Sequence, residues 1–339
     1  MNYKIRISIS VVCALFVFSC ASGWAQSAPS AATATPATSQ ASDPATAGGQ
    51  PVNPLKVALP HWYSVDEAAR FTAGKQPYGL CFDGANIWAA NFGAATVSKI
   101  RAADGAVLGT FKVGNQPYGA TFDGANVWVS DSGDGTVTKL RASDGTVLGT
   151  FNLSGGPGTG WMAFDGQNIW VTNGGSNTVT KVRASDGKTV GTFSVGNSPI
   201  GAAFDGSSVW VTNYIGGSVT KLRASDGALL GTFTVGGEPL GVAFDGANIW
   251  IANRGFGTVS KLRASDGSTL GTFTVPGGPY GVAFDGVNIW LSGDSAVVEL
   301  RVGDGKILTE VPIFPTSGIA FDGADVWIAN TDANMLNKL

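Results

Sequence analysis

The sequence predicts an all-β fold, a seven-bladed β-propeller of four-stranded blades whose last blade is closed by an N-terminal strand. The first observation is a repeat. Phe-Asp-Gly recurs at Phe82, Phe122, Phe164, Phe204, Phe244, Phe284 and Phe321, at spacings of 40, 42, 40, 40, 40 and 37 residues. A period near 40 with β-type alternation and two turn signals per copy is what a propeller blade requires. The second observation is composition: 49 of 339 residues are Gly, 44% are hydrophobic and only 13% are charged. That balance suits many short strands joined by tight turns.

Each strand is justified by the turn beside it. In the second copy "GATF" is strand A, Asp123-Gly124 turns into "NVWVS" as strand B, "TVTKLRA" is strand C, and Asp144-Gly145 turns into "TVLGTFNL" as strand D. Gly accepts positive φ freely and Asp tolerates it, so Asp-Gly between apolar strands favours a hairpin. The last copy reaches Leu339 at the end of strand C without a strand D. Before the first copy, "EAARFTAGKQPYG" aligns with "TVLGTFKVGNQPYG", so the segment Glu67 to Ala73 is expected to complete blade seven. A closed ring removes the edge strand that would otherwise invite aggregation.

The predicted organisation is a signal peptide over 1–25, a flexible Ala/Ser/Thr/Pro linker over 26–54 and the propeller over 55–339. Lys4 and Arg6 open the signal, Ile7 to Phe18 form its apolar run, and Gly23-Trp24-Ala25 offers a small-x-small cleavage site. That run is too short to span roughly 30 Å of hydrocarbon as a helix, so no membrane span is expected. An exported protein follows, periplasmic or extracellular, with lipid anchoring through Cys20 as the rival processing. Cleavage leaves Cys81 as the only cysteine, which excludes an intramolecular disulfide. It also leaves 19 basic against 24 acidic residues, a net charge of −5, interleaved along every repeat. This argues against a nucleic-acid partner, and a monomer is expected.

Residues that every copy shares read as scaffold. Trp88, Trp128, Trp170, Trp210, Trp250, Trp290 and Trp327 fall in mid-strand B and are expected to pack between blades rather than to serve as sugar platforms. The pairs from Lys99 and Arg101 to Lys261 and Arg263 share a face of strand C and are expected to pair with the turn aspartates; in blade six, Glu299 takes the Lys position. Asp131 and Asp134 lie close in sequence but lack the ligand series of a Ca²⁺ loop, so no metal is assigned. Cys81 stands where other copies have Ala or Thr and reads as a small buried filler. The lone histidine, His61, precedes the repeats beside Trp62 and Tyr63 and has no visible catalytic partner.

Positions where the copies disagree are where function can be placed. The lower Asp-Gly turns are nearly constant, whereas the upper B-to-C and D-to-A loops vary, and variable loops on a rigid scaffold commonly carry function. The candidate binding residues are Tyr78, Tyr118, Leu240 and Tyr280 at the upper ends of strands A, with Glu238 beside them. Trp161 joins them, standing in the longer third copy where the others have Gly. Tyr214, Arg254 and Phe256 come from B-to-C loops, which also carry Phe92, Ile215, Asp294 and Asp332.

The pattern "PYGVAFDGVNIWLS", followed in other copies by "NTVTKVRASDGKTVGTFSVG", resembles YVTN-type and NHL-like propellers and the streptogramin (virginiamycin) B lyase-like group over roughly residues 71–339. The resemblance implies a propeller. For the lyase group it would also imply a histidine base and a carboxylate-bound Mg²⁺ at the top of the ring. No residue of the repeats matches that histidine. No catalytic residue, metal ligand or cofactor is therefore assigned. The expected role is a module that binds a small molecule, glycan or protein through its upper face. The alternatives are a lyase-like or hydrolytic enzyme and a structural cell-envelope protein.

Overall fold

The computed structural model describes residues 69–339. The expectations for the signal segment 1–25, the linker 26–54, Cys20, His61 and the first residues of the closing segment lie outside the described residues.

Seven four-stranded antiparallel sheets follow one another in sequence, and six of them are simple meanders. Blade one shows the pattern, with strand A over Pro77–Phe82, B over Asn86–Asn91, C over Thr96–Arg101 and D over Val107–Lys112. The seventh sheet joins Thr316–Phe321, Val326–Asn330 and Met335–Lys338 to Ala69–Thr72, the closing strand predicted from the aligned segment. Ala69 to Thr72 pair antiparallel with Lys338 to Met335. Strands A of successive blades pack side by side around the ring. Among the described residues no helix is long and apolar enough to cross a membrane.

The repeated letters explain each blade. The Asp83 carboxylate accepts the backbone N–H groups of Ala85 and Asn86 at 3.0 and 2.7 Å, and the Trp88 indole N–H at 2.7 Å. Gly84 follows at φ 97°, a value that a side chain resists. One aspartate thus shapes the A-to-B turn and anchors the tryptophan, and the Trp-to-Asp bond recurs in all seven blades. In six blades a Phe from strand D lies against that indole at 5.1–5.7 Å between ring centres.

The tryptophans pack at the seams as expected. Trp88, for example, shares a core cluster with Val127 and Leu140 of blade two. Cys81 is buried in the same cluster.

Four of the five strand-C lysines of the Lys/Arg pairs depart from expectation, whereas Lys181 also comes within 4.0 Å of the turn residue Asp165. Lys99 Nζ donates to the Ala142 carbonyl of the next blade at 2.6 Å, and five further lysines make the equivalent link. Each ammonium also stands 5.0–5.3 Å above its own blade's tryptophan. The turn aspartates of strand C pair instead with the arginines, as Asp104 does with Arg101 at 2.8 Å. The reason is burial: the lysine head lies inside the seam, where a backbone carbonyl would otherwise lack a donor, whereas the arginine projects from the rim.

Candidate upper-face site

The upper ends of strands A converge on an aromatic cluster. Tyr78 and Tyr118 stack at 5.8 Å with their planes 10° apart, Phe92 lies 5.2 Å from Tyr78, and Trp161 lies 5.1 Å from Tyr118. Leu240 and Tyr280 belong to the same cluster, with Ile200 and Tyr214 packed against it, so blades one to six all contribute. Trp161 and Leu240 are completely buried, and Tyr118 and Tyr280 nearly so. These four candidates lie beneath the surface as its support.

Trp161 has its place because Gly119 has no side chain. A Cβ on Gly119 would stand 2.7 Å from Trp161 Cδ1. In blade three the bulky residue and the glycine have exchanged positions, Gly160-Trp161 in place of Tyr-Gly. The indole thereby leans onto the neighbouring strand A.

Over blades four to six the cluster is capped by a polar network. A short 3-10 turn, Arg254–Phe256, follows strand B of blade five and ends on Gly257 at φ 59°. The Arg254 guanidinium lies 4.7 Å above the Tyr280 ring. Its Nε faces Asp294 at 3.3 Å, and a terminal nitrogen faces Glu238 at 3.7 Å. Glu238 occupies left-handed backbone at φ 52°, which costs roughly 1 kcal/mol for a side-chain-bearing residue. Gln76, Gln116 and Ser198 share that conformation at the same point of their D-to-A loops, so the fold imposes it and the sequence chooses a carboxylate at Glu238.

Ionisation follows the same geometry. Burial and then the Asp294 carboxylate push the Tyr280 hydroxyl well above the usual phenol range. Burial and then Glu238 raise Tyr214. For Arg254 burial works against the charge, but Tyr280 and Asp294 outweigh it and hold the guanidinium more firmly protonated. Both tyrosines are neutral donors at neutral pH, and Arg254 is a fixed cation between two carboxylates.

Beside this network two apolar side chains face solvent, Phe256 at 70% and Ile215 at 68% exposure. The structure therefore brings together Tyr214, Glu238, Arg254, Phe256 and Tyr280, and adds Asp294 and Ile215. Tyr78 belongs to the aromatic cluster beneath, stacked on Tyr118 and next to Phe92. What sequence reading missed was the contact between Arg254 and Asp294, 40 residues and one blade apart. The one signal available was that one-blade separation in a regular repeat.

The two aspartates of the blade-two loop are consumed locally. Asp131 is fully buried and accepts from Gly114 N, Thr136 Oγ1 and Thr138 Oγ1 at 3.0, 3.0 and 2.7 Å. Asp134 accepts from Asn115. Burial pushes the Asp131 carboxyl up to about 6. Among the described residues no group of three or more His, Cys, Asp and Glu side chains is placed to hold a metal ion.

No protein-family model matches the chain, and no curated protein matches it. Solved structures do. A streptogramin B lyase structure is 19% identical at a TM-score of 0.68, over 80% of this chain and 96% of that one. Virginiamycin B lyase from Staphylococcus aureus is 19% identical at a TM-score of 0.69, over 80% and 98%. Hydrazine synthase of Kuenenia stuttgartiensis is 16% identical at a TM-score of 0.70, over 79% and 96%. Proteins of such different names share this ring, so the likeness fixes the fold and leaves function to the site. The chain is a seven-bladed propeller similar to the streptogramin B lyases.

Proposed function

We propose that the protein is an exported binding module, without chemistry of its own, whose partner docks on the upper face over blades four to six. One observation carries the reading. Arg254 is held on Tyr280 between Glu238 and Asp294, directly beside the exposed Phe256 and Ile215. An oriented arginine with exposed aromatic and aliphatic neighbours is the composition of an interface hot spot. Because its pose is already fixed, little side-chain freedom is left to lose on binding.

The cluster beneath favours a partner that lies on the face. Trp161, Leu240 and Tyr280 are buried in the cluster directly beneath this face, which supports a protein surface over a small molecule. Export rests on the basic, apolar and small-x-small features of residues 1–25. The activity of the streptogramin B lyases is not carried over, because the repeats contain no histidine.

The test displays proteins, glycans and metabolites to the purified ring, with and without Mg²⁺ and with turnover monitored. Specific binding that is lost in the Arg254→Ala, Phe256→Ala double variant, with melting unchanged, supports the reading. Binding that survives the double change places the site elsewhere, and turnover of any bound compound overturns the absence of chemistry.

A further inference from the structure

Blade six breaks the arrangement that the other six blades share. In those six, a lysine ammonium stands 5.0–5.3 Å above the strand-B tryptophan and a Phe from strand D covers the same indole. In blade six, Glu299 takes the lysine position opposite Trp290, and Val311 takes the Phe position. Trp290 is accordingly half-buried, while the other six are fully buried.

Ring closure explains part of this. Strands C and D of blade seven come from distant parts of the sequence, so no C-to-D turn joins them to offer the carbonyl that a lysine of blade six would need. A neutral filler would meet that circumstance. A carboxylate does not follow from it, because the face of an indole carries negative charge and attracts cations. Glu299 Oε1 accepts from Asn288 Nδ2 at 2.8 Å and Oε2 from Thr309 Oγ1 at 2.7 Å, which fixes the group beside Trp290. Asp285 accepts the Trp290 indole N–H at 2.8 Å.

The seam that Trp290 faces corresponds, by repeat register, to a groove elsewhere in the ring. Between blades two and three the equivalent cleft holds about 470 Å³ and is lined by Asp123, Asn126 and Lys139 on one side and Phe164, Gly166 and Asn168 on the other. By repeat register the corresponding positions between blades six and seven are Asp285, Asn288 and Glu299 against Phe321, Gly323 and Asp325. Those positions carry three carboxylates, and Lys338 lies on Asp325 at 2.7 Å.

We propose that the seam between blades six and seven binds an aliphatic ammonium cation, its charged head over Trp290 and within reach of Glu299 and Asp285, where the other blades place their own lysine. The six internal Lys-Trp pairs are the template for the ligand. The site lies on the lower side of the ring and is separate from the upper-face network.

The test uses protein labelled with ¹⁵N at the tryptophan indoles, with the Trp290 signal assigned through Trp290→Phe. Butylammonium and Nα-acetyl-lysine methylamide are titrated in parallel, with butanol as the neutral control. The expected result is a saturable shift of the Trp290 signal with both amines and none with butanol. A response to butylammonium alone supports the site and assigns it to free amines. Glu299→Gln should weaken binding about tenfold. Glu299→Lys, which restores the ammonium of the other blades, should abolish it. The proposal is overturned if Trp290 shows no saturable shift, if several indoles shift alike, or if Glu299→Gln binds as the native ring does. That last comparison decides the matter even if the lysine variant does not fold.

Discussion

Lys221 Nζ donates to the Ala264 carbonyl of the next blade at 2.6 Å while standing 5.0 Å above Trp210 of its own blade. One buried ammonium thus ties a strand, an indole and a neighbouring turn. Lys221→Met keeps much of the stem but leaves the Ala264 carbonyl without its lysine donor and the indole face without its cation. A loss of about 2 kcal/mol is expected from those two contributions, read as a lower urea midpoint. Arg223→Ala on the same strand breaks only the exposed pair with Asp226, and should change stability by less than about 1 kcal/mol.

Phe71 carries the closure of the ring. Its ring lies 5.1 Å from Trp327, and it covers Gly105 of blade one, where a Cβ would collide with it. Phe71→Ala therefore opens the last blade and the seam to the first together. Because Phe71 is only partly buried, a cost of roughly 2 to 3 kcal/mol is expected, with a fall in melting temperature. Removal of residues 69–72 should abolish the cooperative transition, and a truncated ring that melts as the native one does would refute the role of this strand.

Trp161 and Gly119 should be energetically coupled. Trp161→Ala removes a fully buried indole and should cost roughly 3 to 5 kcal/mol. Gly119→Ala should destabilise the native ring because the new methyl would sit 2.7 Å from Trp161 Cδ1. In the Trp161→Ala background that obstacle is gone. The double-mutant cycle should therefore show Gly119→Ala costing less by about 1 kcal/mol or more. Additive costs would mean that the two residues do not compete for the same space.

The blades were legible because their determinants are local. Asp-Gly turns, strand alternation and the period near 40 lie within one copy, and the closing strand could be aligned by eye with strand D of another. The seam contacts were less legible. Lys221 reaches a partner 43 residues ahead, whereas Asp226 lies only five positions away, and composition cannot rank those options. Burial decides between them. At the upper face Tyr214, Glu238, Arg254, Phe256 and Tyr280 each stood out as departures from the repeat. Their mutual contacts were hidden because blades four, five and six contribute different members. Trp161 was conspicuous for the same reason, yet its place is beneath the face, because it fills space left by a glycine of the blade before it.

Asp131 gives the ring a pH dependence that its neighbours would not. Asn91, Asn173, Asn213 and Asn253 occupy the same position in other blades and donate through their amides to Thr or Ser hydroxyls. Asp131 accepts from Thr136 and Thr138 instead, and burial lifts its carboxyl from 3.8 to about 6. A carboxyl whose pKa is raised by folding binds its proton more tightly in the native state. Its contribution is fully present below pH 3.8 and is lost as pH rises through about 6. Asp131→Asn should therefore stabilise the ring at pH 7 to 8 by about 2 kcal/mol, with an advantage that shrinks steadily as pH falls towards 4. Urea unfolding of both proteins across that range measures the difference. A gain that stays constant with pH would show that the native carboxyl titrates as it does in the unfolded chain.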